Sequence, residues 1–238
     1  MSFVKTTLAA VLGGTIAAIT YLPLAWVAPR LIPNSLAGPV SYMGTVWDGH
    51  VTDGLIVGQT MPPLSLKLSV WEMLRGDDFF HFKTDGIPAL KGSAKIGQVN
   101  NVKLVLPLMF FSDFDGRLAG VNGDIDIQLE SLKFSDRCEA ASGEAKTDVL
   151  QRNMALWQWT GPALVGPITC ENGSLVSRLS GKDRTQKIET SLTVSSDGSH
   201  KSEMFVTTTN AQMQLFLPYM GFEKRGNQYV LVETGRWQ

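Results

Sequence analysis

Between residues 64 and 70 apolar and polar side chains alternate without exception: Leu64-Ser65-Leu66-Lys67-Leu68-Ser69-Val70. A period of two sends successive side chains to opposite faces, so the segment reads as a β-strand with one wet face. The pattern recurs on both sides of it. Residues 40–46, interrupted at Gly44, and residues 51–57 read as strands, with Asp48-Gly49 as the turn between them. Later strands are expected at 77–82, 93–96, 102–108 and 123–130, the last continuing at 132–134 after a bulge. Residues 175–179, 187–194, 204–208 and 228–233 complete the series. Asp85-Gly86, Asn172-Gly173 and Asp197-Gly198 mark turns. Two segments depart from the period. Residues 71–76 read as a short helical link stopped by Gly76, and 210–220, with Met213, Leu215, Phe216 and Met220 apolar, as a helix stopped by Gly221. The expected class is mainly β: a curved antiparallel sheet system with a short C-terminal helix. No strand–helix–strand rhythm exists to build a nucleotide-binding α/β sheet.

Residues 6–29 break the pattern entirely. They carry no charge and follow Lys5. A helix of that length spans about 36 Å, against a hydrocarbon core of about 30 Å. Tyr21 and Trp26 stand at its far end, where an aromatic belt belongs, and Pro23 and Pro29 end it. Lys5 and the α-amino group favour a cytoplasmic N-terminus. The expectation is an N-terminal transmembrane anchor over 1–30 and one exported β-rich domain over 31–238. A cleaved signal is the rival reading; the run is long for one and lacks a clean Ala-x-Ala site. Both readings export the remainder.

Composition adds exclusions. The 238 residues have a net charge of −1 and a pI near 6.3, which leaves no basic excess for nucleic acid. The 23 glycines and only 18% charged residues suit strands and turns better than a helical bundle. Cys138 and Cys170 both lie on the exported side, where oxidation is normal. A bridge would close a loop of about 30 residues and contribute about 3–4 kcal/mol; the alternative is two free buried thiols. Two cysteines are too few for a metal site, and His50, His81 and His200 have no ligand spacing.

Candidate chemistry is sparse. No Gly-x-Ser-x-Gly and no phosphate-binding Gly-rich loop is present. Asp77-Asp78, and Asp113 with Asp115 around Phe114, border glycines and read as solvated turns. Asp124 and Asp126 alternate with Ile125 and Ile127, as the wet face of a strand. Trp157 and Trp159 stand before Gly161-Pro162; they could stack a sugar, or serve as one core anchor and one interface aromatic. Trp47, between Gly44 and Gly49, is either a core anchor over a glycine turn or an interaction residue. No catalytic residue, metal or cofactor is expected, so the chain reads as a non-enzyme.

Several blocks together carry a resemblance. After the anchor comes Gly44-Thr45-Val46-Trp47-Asp48-Gly49, then Val105-Leu106-Pro107-Leu108 ahead of the 123–129 strand. Cys138-Glu139-Ala140-Ala141-Ser142-Gly143 follows, and then Leu164-Val165-Gly166-Pro167-Ile168-Thr169-Cys170-Glu171-Asn172-Gly173. The chain resembles the bacterial type II secretion system protein N family over essentially its whole length. It lacks the tryptophan expected two positions after Gly143, and the aromatic signal stands instead at Trp157 and Trp159. The resemblance implies a single-pass inner-membrane protein, mostly periplasmic, without catalytic residues. Its implied partners are other secretion components, on the inner-membrane platform or the secretin side. A more distant resemblance to AsmA-like envelope proteins implies an alternative: a sheet whose apolar face shields lipid chains.

Overall fold

The computed structural model describes residues 21–26, 40–56, 59–111 and 120–236. The candidate anchor therefore lies outside the described residues except for 21–26, as do Asp113 and Asp115. Among the described residues no helix is long and apolar enough to cross a membrane. The chain divides into two compact units, residues 1–86 and 87–238.

In the first unit, β1 (Ser41–Gly44), β2 (Asp48–Thr52), β5 (Leu64–Leu68) and β6 (Phe80–Thr84) pair in that order, all antiparallel. A small ribbon, β3 (Leu55–Ile56) and β4 (Gln59–Thr60), interrupts the sequence. The alternation at 64–70 does what it predicts: Leu66 is buried while Lys67 is exposed. Leu66 and Leu24 form the centre of a core joined by Tyr42, Val46, Val51, Leu64, Phe80 and Phe82. The link after β5 is helix α1 (Val70–Arg75). Ser69 caps it by accepting from Glu72 N–H, and Gly76 closes it at φ 79°. The helix buries nothing: Trp71 is 74% and Leu74 69% exposed.

Asp48-Gly49 is not the turn that the sequence suggests. The turn is Thr45–Trp47, with Gly44 in the left-handed region at φ 81° and Thr45 N–H bonded to Asp48 C=O at 3.1 Å. Gly49 lies inside β2, paired with Gly44. Its role is close approach. A Cβ there would stand 2.6 Å from Leu24 Cδ2. Leu24 is brought to that place by the preceding residues: Val46 N–H donates to Leu22 C=O at 3.0 Å, and Pro23 bridges Thr45. Residues 22–24 thus belong to the packing of the first unit, although they lie on the anchor side of residue 30.

The second unit is a ten-strand antiparallel meander. Its strands are β7 (Ala89–Lys95), β8 (Gln98–Pro107), β9 (Asp124–Phe134), β10 (Cys138–Thr147), β11 (Leu164–Glu171), β12 (Ser174–Lys182), β13 (Gln186–Val194), β14 (Ser199–Thr208), β15 (Glu223–Arg225) and β16 (Gln228–Arg236). They pair in chain order except that β16 lies between β14 and β15. Strands β10 and β11 escape sequence reading: β10, Cys-Glu-Ala-Ala-Ser-Gly-Glu-Ala-Lys-Thr, has no large apolar residue, and β11 contains Gly166-Pro167. The bulge expected near residue 131 is present. Leu129 pairs with Gly143 and Ser131 with Ser142, so Glu130 is the extra residue. Asn172-Gly173 turns β11 into β12 with both φ positive, at 51° and 83°. Cys138 and Cys170 are joined, their Cα atoms 5.6 Å apart, so the bridged alternative is the one adopted.

Side chains on one face of this meander form lateral rows through the register. Leu106, Ile125, Thr147 and Leu164 stand side by side, as do Ile188, Val206 and Tyr229 beyond them. A second row runs through Leu179, Thr190, Met204 and Leu231. The helical segments cover this face. They are α2 (Val149–Arg152), α3 (Met154–Trp157), and α4 (Ala211–Phe216) continued by a 3-10 turn (Leu217–Met220). Ile188, Val206 and Met213 are each 1% exposed at the centre of the resulting core.

Candidate functional site

The rows and the helices above them do not meet completely. Between them lies a cavity of about 340 Å³, wholly within the second unit. Its floor is the sheet: Ile125, Leu164, Leu179, Ile188, Met204 and Leu231. Its roof is α2 and α3 with the segment that follows them, through Leu150, Trp157 and Trp159, and α4 with its 3-10 turn, through Met213, Phe216 and Met220. Thr147, Thr190 and Glu233 are the only polar lining residues.

Both roof segments are held by polar side chains that the sequence does not mark. Asn153, 2% exposed, accepts from Asn122 N–H at 2.8 Å and donates to Asn122 C=O and Val149 C=O. It fixes the α2–α3 junction to the chain that enters β9. Gln186, 4% exposed, donates to Thr160 C=O at 2.6 Å and to Asp183 at 2.7 Å, which ties the segment after Trp159 to the β12–β13 turn. Asn210 caps α4 by accepting from Met213 N–H, and Gln214 donates to Thr208 C=O. A buried side chain in three bonds costs more to replace than its net contribution suggests, because its partners would be left unsatisfied. The roof is therefore set in position rather than loosely laid on.

Trp157 and Trp159 meet here, stacked with ring centroids 5.4 Å apart and planes inclined by 21°. Trp159 is buried, Trp157 half-buried. One is thus a core anchor and the other stands at the edge, yet both line the same cavity. The Trp159 indole N–H is buried without an acceptor among the described residues. Trp47 lies in the first unit, half-buried in the Thr45–Trp47 turn, and its C=O accepts from Leu68 N–H at 3.2 Å.

Asp124 and Asp126 stand beside cationic side chains. Asp126 faces Lys146 at 3.3 Å, and Arg152 bonds Asp148 at 2.6 Å and approaches Asp124 at 3.6 Å. These carboxylates pair with cations around a smaller depression that Val105 and Ala163 also line. In the first unit His81 Nε2 stands 2.8 Å from Glu72, and this hydrogen bond holds the Glu72 carboxyl below its ordinary range. Both groups are solvent-exposed and do not lie in the second unit's cavity. No cluster of three or more potential metal ligands exists among the described residues.

The sequence matches the model of the family described as type II secretion system (T2SS), protein N, over residues 39–232. The chain belongs to the type II secretion system protein N family. The match covers both units, so the division at residue 86 lies inside the family's pattern. It is a family of secretion-system components and not an enzyme family. Neither a curated protein nor a solved structure matches the chain.

Proposed function

We propose that this chain is a non-catalytic, inner-membrane-anchored component of the type II secretion system, with residues 31–238 in the periplasm as one β-rich body. The family match carries this reading. The uncharged run at 6–29 supports the anchor, and the Cys138–Cys170 bridge suits an oxidising compartment. Its partners are other secretion components on the platform or secretin side, with no role for nucleic acid. Trp47, half-buried in the turn that residues 22–24 contact, is the interaction residue we favour for testing. Deleting the gene should remove secreted hydrolases from the culture supernatant. Unchanged secretion would overturn the reading. Reporter fusions after residue 30 should be active only where a periplasmic reporter works.

A second reading is an envelope protein that binds or transfers lipid. The apolar lining of the cavity favours it. Transfer would need a continuous apolar groove reaching the membrane end. A deletion that leaves secretion intact but alters outer-membrane lipid composition would support this reading over the first.

A further inference from the structure

The cavity in the second unit is poorly suited to water. At roughly 30 Å³ each, about eleven waters would be needed to fill it, and each wants two to four polar partners. Besides the two tryptophan indole N–H groups, the lining offers two hydroxyls and one carboxylate, too few for that many waters, and Thr147 Oγ1 already accepts from Val149 N–H. Charged and sugar-like ligands fail on the same ground. No lysine, arginine or histidine lines the space, so an anion would lose its hydration without a partner. A peptide helix is too large: one turn, about 10 Å across and 5.4 Å long, already exceeds the volume. What remains is hydrocarbon. An apolar cavity of about 150 Å³ accepts benzene, so the present volume corresponds to roughly a dozen carbon atoms. The lining also suits a flexible chain. Met204, Met213 and Met220 are unbranched, polarizable side chains that can adjust around a methylene chain of varying bend.

We propose that the second unit holds a single hydrocarbon chain of a lipid, about a dozen carbons deep, between the Ile188–Met204–Leu231 floor and the Trp157–Met213–Met220 roof. The inference extends the lipid-binding reading and rests on the cavity; it does not depend on a role in secretion.

The test is photo-crosslinking in cells. Cells are fed a diazirine-bearing fatty acid that enters their phospholipids, then irradiated, and the full chain is purified under denaturing conditions so that detergent cannot compete. Adducts should map to peptides containing Met204, Met213, Leu217 or Leu231, and their mass states whether the chain came from a phospholipid or a free fatty acid. Filling the cavity with Thr190→Trp should lower labelling of those peptides by about tenfold through lost apolar contact. Labelling of peptides before Trp26 should not change. If Thr190→Trp reduces the protein level, Met204→Phe, a smaller increment, is read in its place. Adducts confined to residues 1–30, or equal cavity labelling in filled variants present at normal level, would overturn the proposal. Secretion is measured in the same strains. Loss of secretion on gene deletion with no cavity adducts would sink the lipid site and leave the secretion role standing.

Discussion

The two units solve the same problem with different margins. In the first, strands of four or five residues leave two fully buried large side chains among the described residues, Leu24 and Leu66. In the second, strands of up to eleven residues carry several lateral rows, and Ile188 and Val206 are buried against Met213 and Leu217 of the covering helical segments. Strand length decides the difference: a strand of four or five residues can place about two or three side chains on the covered face, one of eleven about five or six. The first unit compensates by borrowing Leu24 from outside its own strands. The second has enough burial to tolerate an incompletely filled interior.

The largest expected effect tests whether the second unit can lose a single backbone contact. A side chain at Gly166 would run into the Arg178 carbonyl of the neighbouring strand. Gly166→Val should abolish folding of the second unit and remove the protein from the soluble or membrane-extracted fraction. Gly54→Val, in the first unit with nothing within 4 Å of the new Cβ, should be nearly neutral. Next is the bridge. Replacing Cys138 and Cys170 with alanine opens a loop with a sequence separation of 32 and should destabilise the second unit by about 3–4 kcal/mol. Denaturant unfolding followed at Trp157 and Trp159 would report it, while amide exchange at Leu66 and Phe82 should stay unchanged.

Leu24→Ala reverses that pattern. Removing a buried leucine costs about 2–5 kcal/mol where the site cannot collapse, and a thin core makes the loss proportionally larger. Amide protection should fall at Leu66 and Phe82 and persist at Ile188 and Val206. Equal loss in both places would mean that the units unfold together and that the comparison is wrong. The smallest effect belongs to α1. Trp71→Ala removes a side chain that is 74% exposed and should change stability by no more than about 0.5 kcal/mol. A shift of 2 kcal/mol or more would show that α1 is covered.

Legibility followed strand composition. Where β-branched or large apolar residues alternate with polar ones, as at 64–68 and 187–194, the strand is visible, and at 64–68 the buried Leu66 lies on the expected face. β10 is invisible because its covered face is made of Cys138, Ala145 and Thr147, small residues that fit beneath neighbours rather than fill space. Asp48-Gly49 misleads because a glycine that admits Leu24 has the same local signature as a glycine that makes a turn. The tryptophan pair stood out in sequence, but its setting did not: the cavity is lined by residues from seven strands and the helical segments above them, whose juxtaposition depends on register. Asn153 and Gln186, which hold the roof, look like ordinary polar residues until their buried partners are seen.

The insertion of Leu24 beside Gly49 has a mechanical meaning. Residues 22–24 are fixed to the first unit by the Leu22–Val46 hydrogen bond, the Pro23–Thr45 bridge and the Leu24 side chain. Tyr21 is therefore followed by no slack. Any displacement of Tyr21 is passed through Leu22, Pro23 and Leu24 to the Thr45–Trp47 turn and the start of β2.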